Sequence, residues 1–294
     1  MLHDDIRIGT LTPFGKGADY IRQVLPHGFE SFQLFAWQNL PEDMDFDREA
    51  GAITEASGGK AVISSIGMFG NVFTNERTAA DFARAIELAP KFGCKMVCGF
   101  TGAVAERSVP DNIPIYKERW TPMIRRAEEL GVRIAFEHCD MNGTWQRPAW
   151  NIAHASTAWE LMFDAVPSDA VGLEWEPCHH MGSFVEPLPQ LRKIASSGKL
   201  FHVHGKDATI AWDVVHEYGT RSGKPWIWHR TPGFGDTNWT DVITILRQAK
   251  WSGQIDIEGW HDPVYREDLE MTGQVLGLNY LKQCRGGPFI TNPT

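Results

Sequence analysis

Glu174 and Glu176, in the stretch GLEWEPCHHMG at 172–182, stand two residues apart in an apolar run and precede the pair His179 and His180. Alternation along a strand puts both carboxylates on one face and Leu173 and Trp175 on the other. Ionised carboxylates are rarely buried without a partner, so this pair calls for a positive charge. Comparable residues close three other β-rich runs. VRIAFEHC (132–139) ends in Glu137 and His138, LFHVHGKD (200–207) carries His204, Lys206 and Asp207, and QIDIEGW (254–260) carries Glu258. If these faces point into one barrel, Glu137, Glu176, His204 and Glu258 form a polar layer, with Ala135, Glu174, His202 and Asp256 in the layer before it. Three convergent carboxylates repel one another at low dielectric, and a divalent cation removes that repulsion. Three Glu and one His make a mostly oxygen site. That set favours Mn²⁺, with Mg²⁺, Co²⁺ and Zn²⁺ as alternatives. Glu174, His202 and Asp256 are then expected to support the ligands through hydrogen bonds.

Such a layer needs strands that end side by side. Eight candidate strands lie at 6–11, 29–37, 61–69, 95–100, 132–139, 170–177, 200–207 and 254–260. Helical patterns intervene, at 75–93, 113–131 and 239–253, with Gly93 as a C-terminal stop for the first. Alternating strands and helices over this length predict a (β/α)8 barrel, a single domain over 1–294 with its active site at the C-terminal strand ends. A doubly wound open sheet is the main rival. Its usual Gly-rich phosphate loop is not matched by GTLTPFGKG after the first strand. Two segments, 139–153 and 208–238, are longer than ordinary connections and are expected to be active-site loops.

Composition narrows the function. The 294 residues carry a formal charge of −9, which disfavours a general nucleic-acid binder. Five cysteines without a CxxC pair read as reduced thiols. The N-terminal stretch lacks the pattern of a signal peptide, and no apolar run approaches the roughly 20 residues of a membrane span. A cytoplasmic protein without membrane contact is expected. Twelve tryptophans suit a mixture of core filling and apolar walls around a sugar ring. Trp175, opposite in phase to the carboxylates, is expected to pack against helices.

The ordered motifs AFEHC, GLEWEPCH (172–179), HVHGKD (202–207), RTPGFGDTNW (230–239) and IEGWHDP (257–263) resemble those of the xylose-isomerase-like barrels of the sugar phosphate isomerase/epimerase superfamily. The resemblance runs along nearly the whole chain and is clearest from Arg133 onward. It implies that Glu137, Glu176, His204 and Glu258 hold the metal, that His179 contacts substrate oxygens, and that Arg230 lies near the entrance. It also implies that Glu137 and Glu258 flank the substrate and move its proton. Two departures stand out. Glu176 replaces the usual Asp of the DPxH segment, and EGWHDP replaces EHEDP, which places Trp260 and His261 near the mouth. With His179 and His180 these build a histidine-rich rim. Lys206 and Asp207 are expected to pair with each other, with Lys206 also a candidate substrate contact.

The chemistry that follows is proton abstraction beside a sugar carbonyl through a metal-stabilised enediolate, giving isomerisation or epimerisation. If the adjacent carbon carries a leaving group, the same intermediate expels it. The alternative is therefore a β-eliminating lyase on a 3-keto-glycoside, with His261 serving the leaving group. Arg230 reads as a carboxylate partner more readily than as a phosphate clamp, so an unphosphorylated sugar is expected. Two readings from other classes are weaker. An apurinic-endonuclease-like nuclease needs more ligands and a basic surface, and a silent sugar-binding subunit has no need of converging carboxylates. The sequence leaves homo-oligomerisation or a partner subunit open.

Overall fold

Short runs rich in β-branched and aromatic residues form the strands of the computed structural model, which describes residues 5–287 and 290–293. They are β1 (Ile6–Pro13), β2 (Ser31–Trp37), β3 (Val62–Phe69), β4 (Met96–Gly99), β5 (Arg133–Glu137), β6 (Val171–Trp175), β7 (Leu200–Gly205), β8 (Asp207–Ile210), β9 (Ile227–Arg230) and β10 (Gly253–Ile257). All but β8 and β9 belong to a closed parallel barrel, with helices between the strands. The fold is a (β/α)8 barrel. Parallel strands covered on both faces are buried throughout, and every residue of β6 is, including Glu174 and Trp175.

The helices follow their sequence signals. Asn75 caps Glu76–Leu88 by accepting from the backbone N–H groups of Arg77 and Thr78, and Thr78, Phe82, Ala85 and Ile86 form its buried stripe. The chain then tightens into one 3₁₀ turn, and Gly93 ends it at φ +72°. The helix expected over 113–131 starts earlier, at Val109. Ser108 caps it there, and Pro110 sits in the first turn, where a missing N–H costs nothing.

The chain divides into two compact units. One comprises Leu11–Trp175 and Ser197–His202, and in it β2, β3, β4, β5 and β6 pair in sequence order. The other comprises, among the described residues, 5–10, Glu176–Ser196 and those from Val203 onward, and in it β10 pairs with both β1 and β7.

Two expectations are corrected here. The segment 208–238 is not a plain loop. It folds back on itself as an antiparallel ribbon of β8 and β9, with the helix Trp212–Tyr218 between them. The proposed layers are also offset in register, since Glu137 pairs with Glu174 rather than Glu176 and Asp256 with His204 rather than His202, although Glu176, His204 and Glu258 still converge. Barrel strands are staggered along the hydrogen-bond direction, so equal distance from a strand end is not equal height. Among the described residues no helix is long and apolar enough to cross a membrane.

Candidate metal centre

Glu176 follows β6 directly and holds the N-cap position of the helix Pro177–Gly182, in an extended conformation ahead of Pro177. Glu258 follows β10 directly, and His204 is the penultimate residue of β7. All three belong to the second unit and are buried, and their donor atoms lie within 4.8 Å of one another. His204 Nδ1 stands 3.6 Å from Glu176 Oε2 and 3.4 Å from Glu258 Oε2. Donors sharing one ion at about 2.1 Å can be no more than about 4.2 Å apart. Small rotations of these side chains therefore suffice, and two carboxylates with one imidazole suit a divalent cation.

The electrostatics of the cluster are those of anions held by cations. Lys206 Nζ lies 3.1 Å from both carboxylate oxygens of Glu258 and 3.7 Å from Glu176. Burial alone would raise the Glu176 carboxyl, but Lys206 and His179 outweigh it and hold the group well below the carboxylate range. Burial likewise opposes ionisation of Glu258, and Lys206 together with the His261 hydrogen bond brings it down to about 2. The expected pairing of Lys206 with Asp207 does not occur. Consecutive residues of an extended chain face opposite ways, and Asp207 accepts instead from the backbone N–H groups of Ala208 and Thr237 and from Trp239 Nε1.

Imidazoles surround the carboxylates. One helical turn after Glu176, His179 turns Nε2 back onto its carboxylate. His261, with a 42% exposed side chain, places Nε2 2.8 Å from Glu258 Oε1. The Trp260 ring lies 5.5 Å from the His261 ring. Between His179 and His261 stands His229, with ring centroids 5.6 and 5.8 Å away. Burial, then Lys206 and His179, push the His229 imidazole down to about 3. Sequence reasoning missed His229. Its only signal was the β-rich run IWHR inside a segment read as a loop. His180, expected at the rim, is 4% exposed, and burial and the adjacent His179 push it down to about 3. Arg230 Nε donates to Asp262 Oδ2 at 3.0 Å.

In the other unit, Glu174 Oε1 accepts from Gln33 Nε2 at 2.7 Å and pairs with His202 Nδ1 at 2.8 Å, and Gln33 also donates to Ser65 Oγ. Two of the three expected supports are thus joined. Asp256 lies on β10, in register with His204. Glu137 ends β5 in register with Glu174 and is buried, and its carbonyl accepts from Asn151 Nδ2 at 2.7 Å.

Comparison with known proteins bears on this arrangement. The model of the xylose isomerase-like TIM barrel family matches residues 21–281, and the chain belongs to that family. No curated protein sequence matches the chain. Among solved structures, it resembles mannonate dehydratase from Streptococcus suis serotype 2 at TM-score 0.73 and 12% identity, over 95% of this chain and 94% of that one. It resembles 3-keto-D-glucoside 4-epimerase from E. coli at TM-score 0.69 and 14% identity, over 95% and 100%. It also resembles the IOLI protein, solved with a binding zinc atom, at TM-score 0.63 and 14% identity, over 95% and 96%.

Proposed function

We propose that this chain is a divalent-metal-dependent sugar isomerase or epimerase that moves a proton beside a sugar carbonyl. The observation that carries the reading is the buried convergence of Glu176, His204 and Glu258. The motif order adds Glu137 as the fourth ligand. A bound divalent ion would supply Lewis-acid polarisation of the sugar carbonyl. The chain's own residues do the rest. Glu258, kept ionised by Lys206, accepts a proton from the carbon beside the carbonyl, and Glu137 serves the opposite face. His179 holds the Glu176 carboxylate in place and offers its ring edge to a substrate oxygen. The solved dehydratase and 3-keto-glucoside epimerase of this fold are named for reactions on sugars or sugar acids, which supports the substrate class.

One observation favours β-elimination from a 3-keto-glycoside as a second reading. Two carboxylates are enough to epimerise, yet His179, His229 and His261 form an imidazole arc beside them. His261, half-exposed and hydrogen-bonded to Glu258, is placed to protonate a leaving oxygen.

NMR in D₂O with a panel of ketoses and 3-keto-glycosides tests both. Solvent deuterium should enter the carbon beside the carbonyl and chelation should stop turnover, with a second sugar formed in one case and a released aglycone in the other. Undiminished turnover in chelator-treated protein would sink both readings.

A further inference from the structure

We propose that His229 binds a hydroxyl group of an uncharged sugar beside the carboxylate cluster. This rests on the metal-centre reading above and deepens it by naming the substrate class. His229 lies on β9 opposite Ala208, with its ring edge-on to His179 at 85° and to His261 at 78°. Each of those two imidazoles already gives one nitrogen to a carboxylate, His179 to Glu176 and His261 to Glu258. His229 gives neither. Among the described residues its ring takes part in no hydrogen bond, and its surroundings keep it neutral. A neutral imidazole carries one donor and one acceptor, and a half-buried ring that leaves both unused is matched by a group that donates and accepts, as a sugar hydroxyl does.

Charge disfavours the anionic alternatives. The two nearby cationic side chains are committed, Lys206 to Glu258 and Glu176, and Arg230 to Asp262. A phosphate or carboxylate on the substrate would have to break one of these pairs or compete with Glu176 and Glu258 for the bound ion. An uncharged polyol meets neither cost.

The experiment uses full-length protein loaded with Mg²⁺ or Zn²⁺, whose diamagnetism permits ring ¹⁵N NMR, titrated with D-fructose, methyl 3-keto-glucoside and D-fructose 6-phosphate. The His229 signals, assigned by their loss in His229→Phe, should move with at least one neutral sugar. His229→Phe keeps an aromatic ring but no nitrogen, and should weaken that sugar about tenfold, the value of roughly one hydrogen bond. His229→Gln, which donates and accepts, should recover to within about threefold of the parent. Metal content and melting temperature should match the parent in both variants. The proposal is overturned if no neutral sugar moves the His229 signals, if His229→Phe binds like the parent, if His229→Gln binds no better than His229→Phe, if the phosphorylated sugar binds more tightly than the neutral one, or if either variant loses its metal. Binding is read without turnover, so failure here is distinct from failure of the isomerase reading, which chelation and deuterium exchange report.

Discussion

Two sets of buried donors come from neighbouring positions in sequence, and the protein treats them differently. Cys98, Glu174 and His202 bring three donor atoms within 4.8 Å of one another, as do Glu176, His204 and Glu258. In the first set Glu174 is held by the amide of Gln33 and the ring of His202, at 2.7 and 2.8 Å. In the second, Glu176 and Glu258 share Lys206 and are each met by an imidazole. Directional hydrogen bonds on one oxygen hold a carboxylate in position. A pair of carboxylates gathered around a cation is a site where positive charge is the requirement, and a metal ion meets it better than an ammonium. Proximity of donors alone does not separate a ligand set from a supporting network. The identity of the compensating group does.

The largest expected effect breaks that contrast at its metal side. Glu176→Gln, His204→Ala and Glu258→Gln should each lose most bound metal and lower turnover by more than about a thousandfold. Glu174→Gln should keep the metal with affinity reduced about 10- to 100-fold, the range for residues that orient ligands. Metal content by mass spectrometry, read beside turnover, checks both. Equal metal loss in Glu174→Gln and Glu176→Gln would erase the distinction.

A smaller effect sharpens it through pH. Glu258 titrates at about 2 in the folded protein against an ordinary 4.5. Its contribution to stability is therefore complete above the unfolded value and is lost as pH falls through the folded one. Lys206→Met removes the leading cation, so in metal-free protein the acid-side loss should begin at higher pH than in the parent. Denaturation midpoints measured across the acid range report this. Coincident profiles would show that Lys206 does not govern the cluster.

The parts legible in the sequence were those with local signals. Alternation within single strands marked Glu176, His204 and Glu258, because a carboxylate or histidine closing an apolar run is visible without knowing its neighbours. Apolar spacing marked the helices at 75–93 and 239–253 for the same reason, with Gly93 as the stop of the first stretch. What failed depended on pairing. Glu137 pairs in register with Glu174, and no residue within β5 or β6 encodes that pairing. His229 reaches the cluster only because Ile227–Arg230 folds back onto Asp207–Ile210, a contact between segments some twenty residues apart. His180 is drawn inward by the short helix it shares with His179, which a doublet of histidines does not reveal.

The smallest expected effect concerns Arg230. The resemblance puts this arginine near the entrance, and its sequence context reads as that of a carboxylate partner. In the structure its Nε donates to Asp262, and its side chain is 18% exposed. Asp262 does not depend on that bond. It also accepts from the backbone N–H groups of Thr231, Val264 and Tyr265, which stay in place when Arg230 changes. Arg230→Lys keeps the charge but loses the planar fork, so it should cost about 1 kcal/mol or less of stability. It should raise KM by less than about threefold and leave kcat and metal content alone, since a guanidinium spent on Asp262 contributes little to a neutral sugar. Steady-state kinetics on whichever sugar exchanges deuterium decides the matter. A tenfold rise in KM would mean that Arg230 leaves Asp262 for the substrate, and that its charge works with Lys206 rather than outside the cluster.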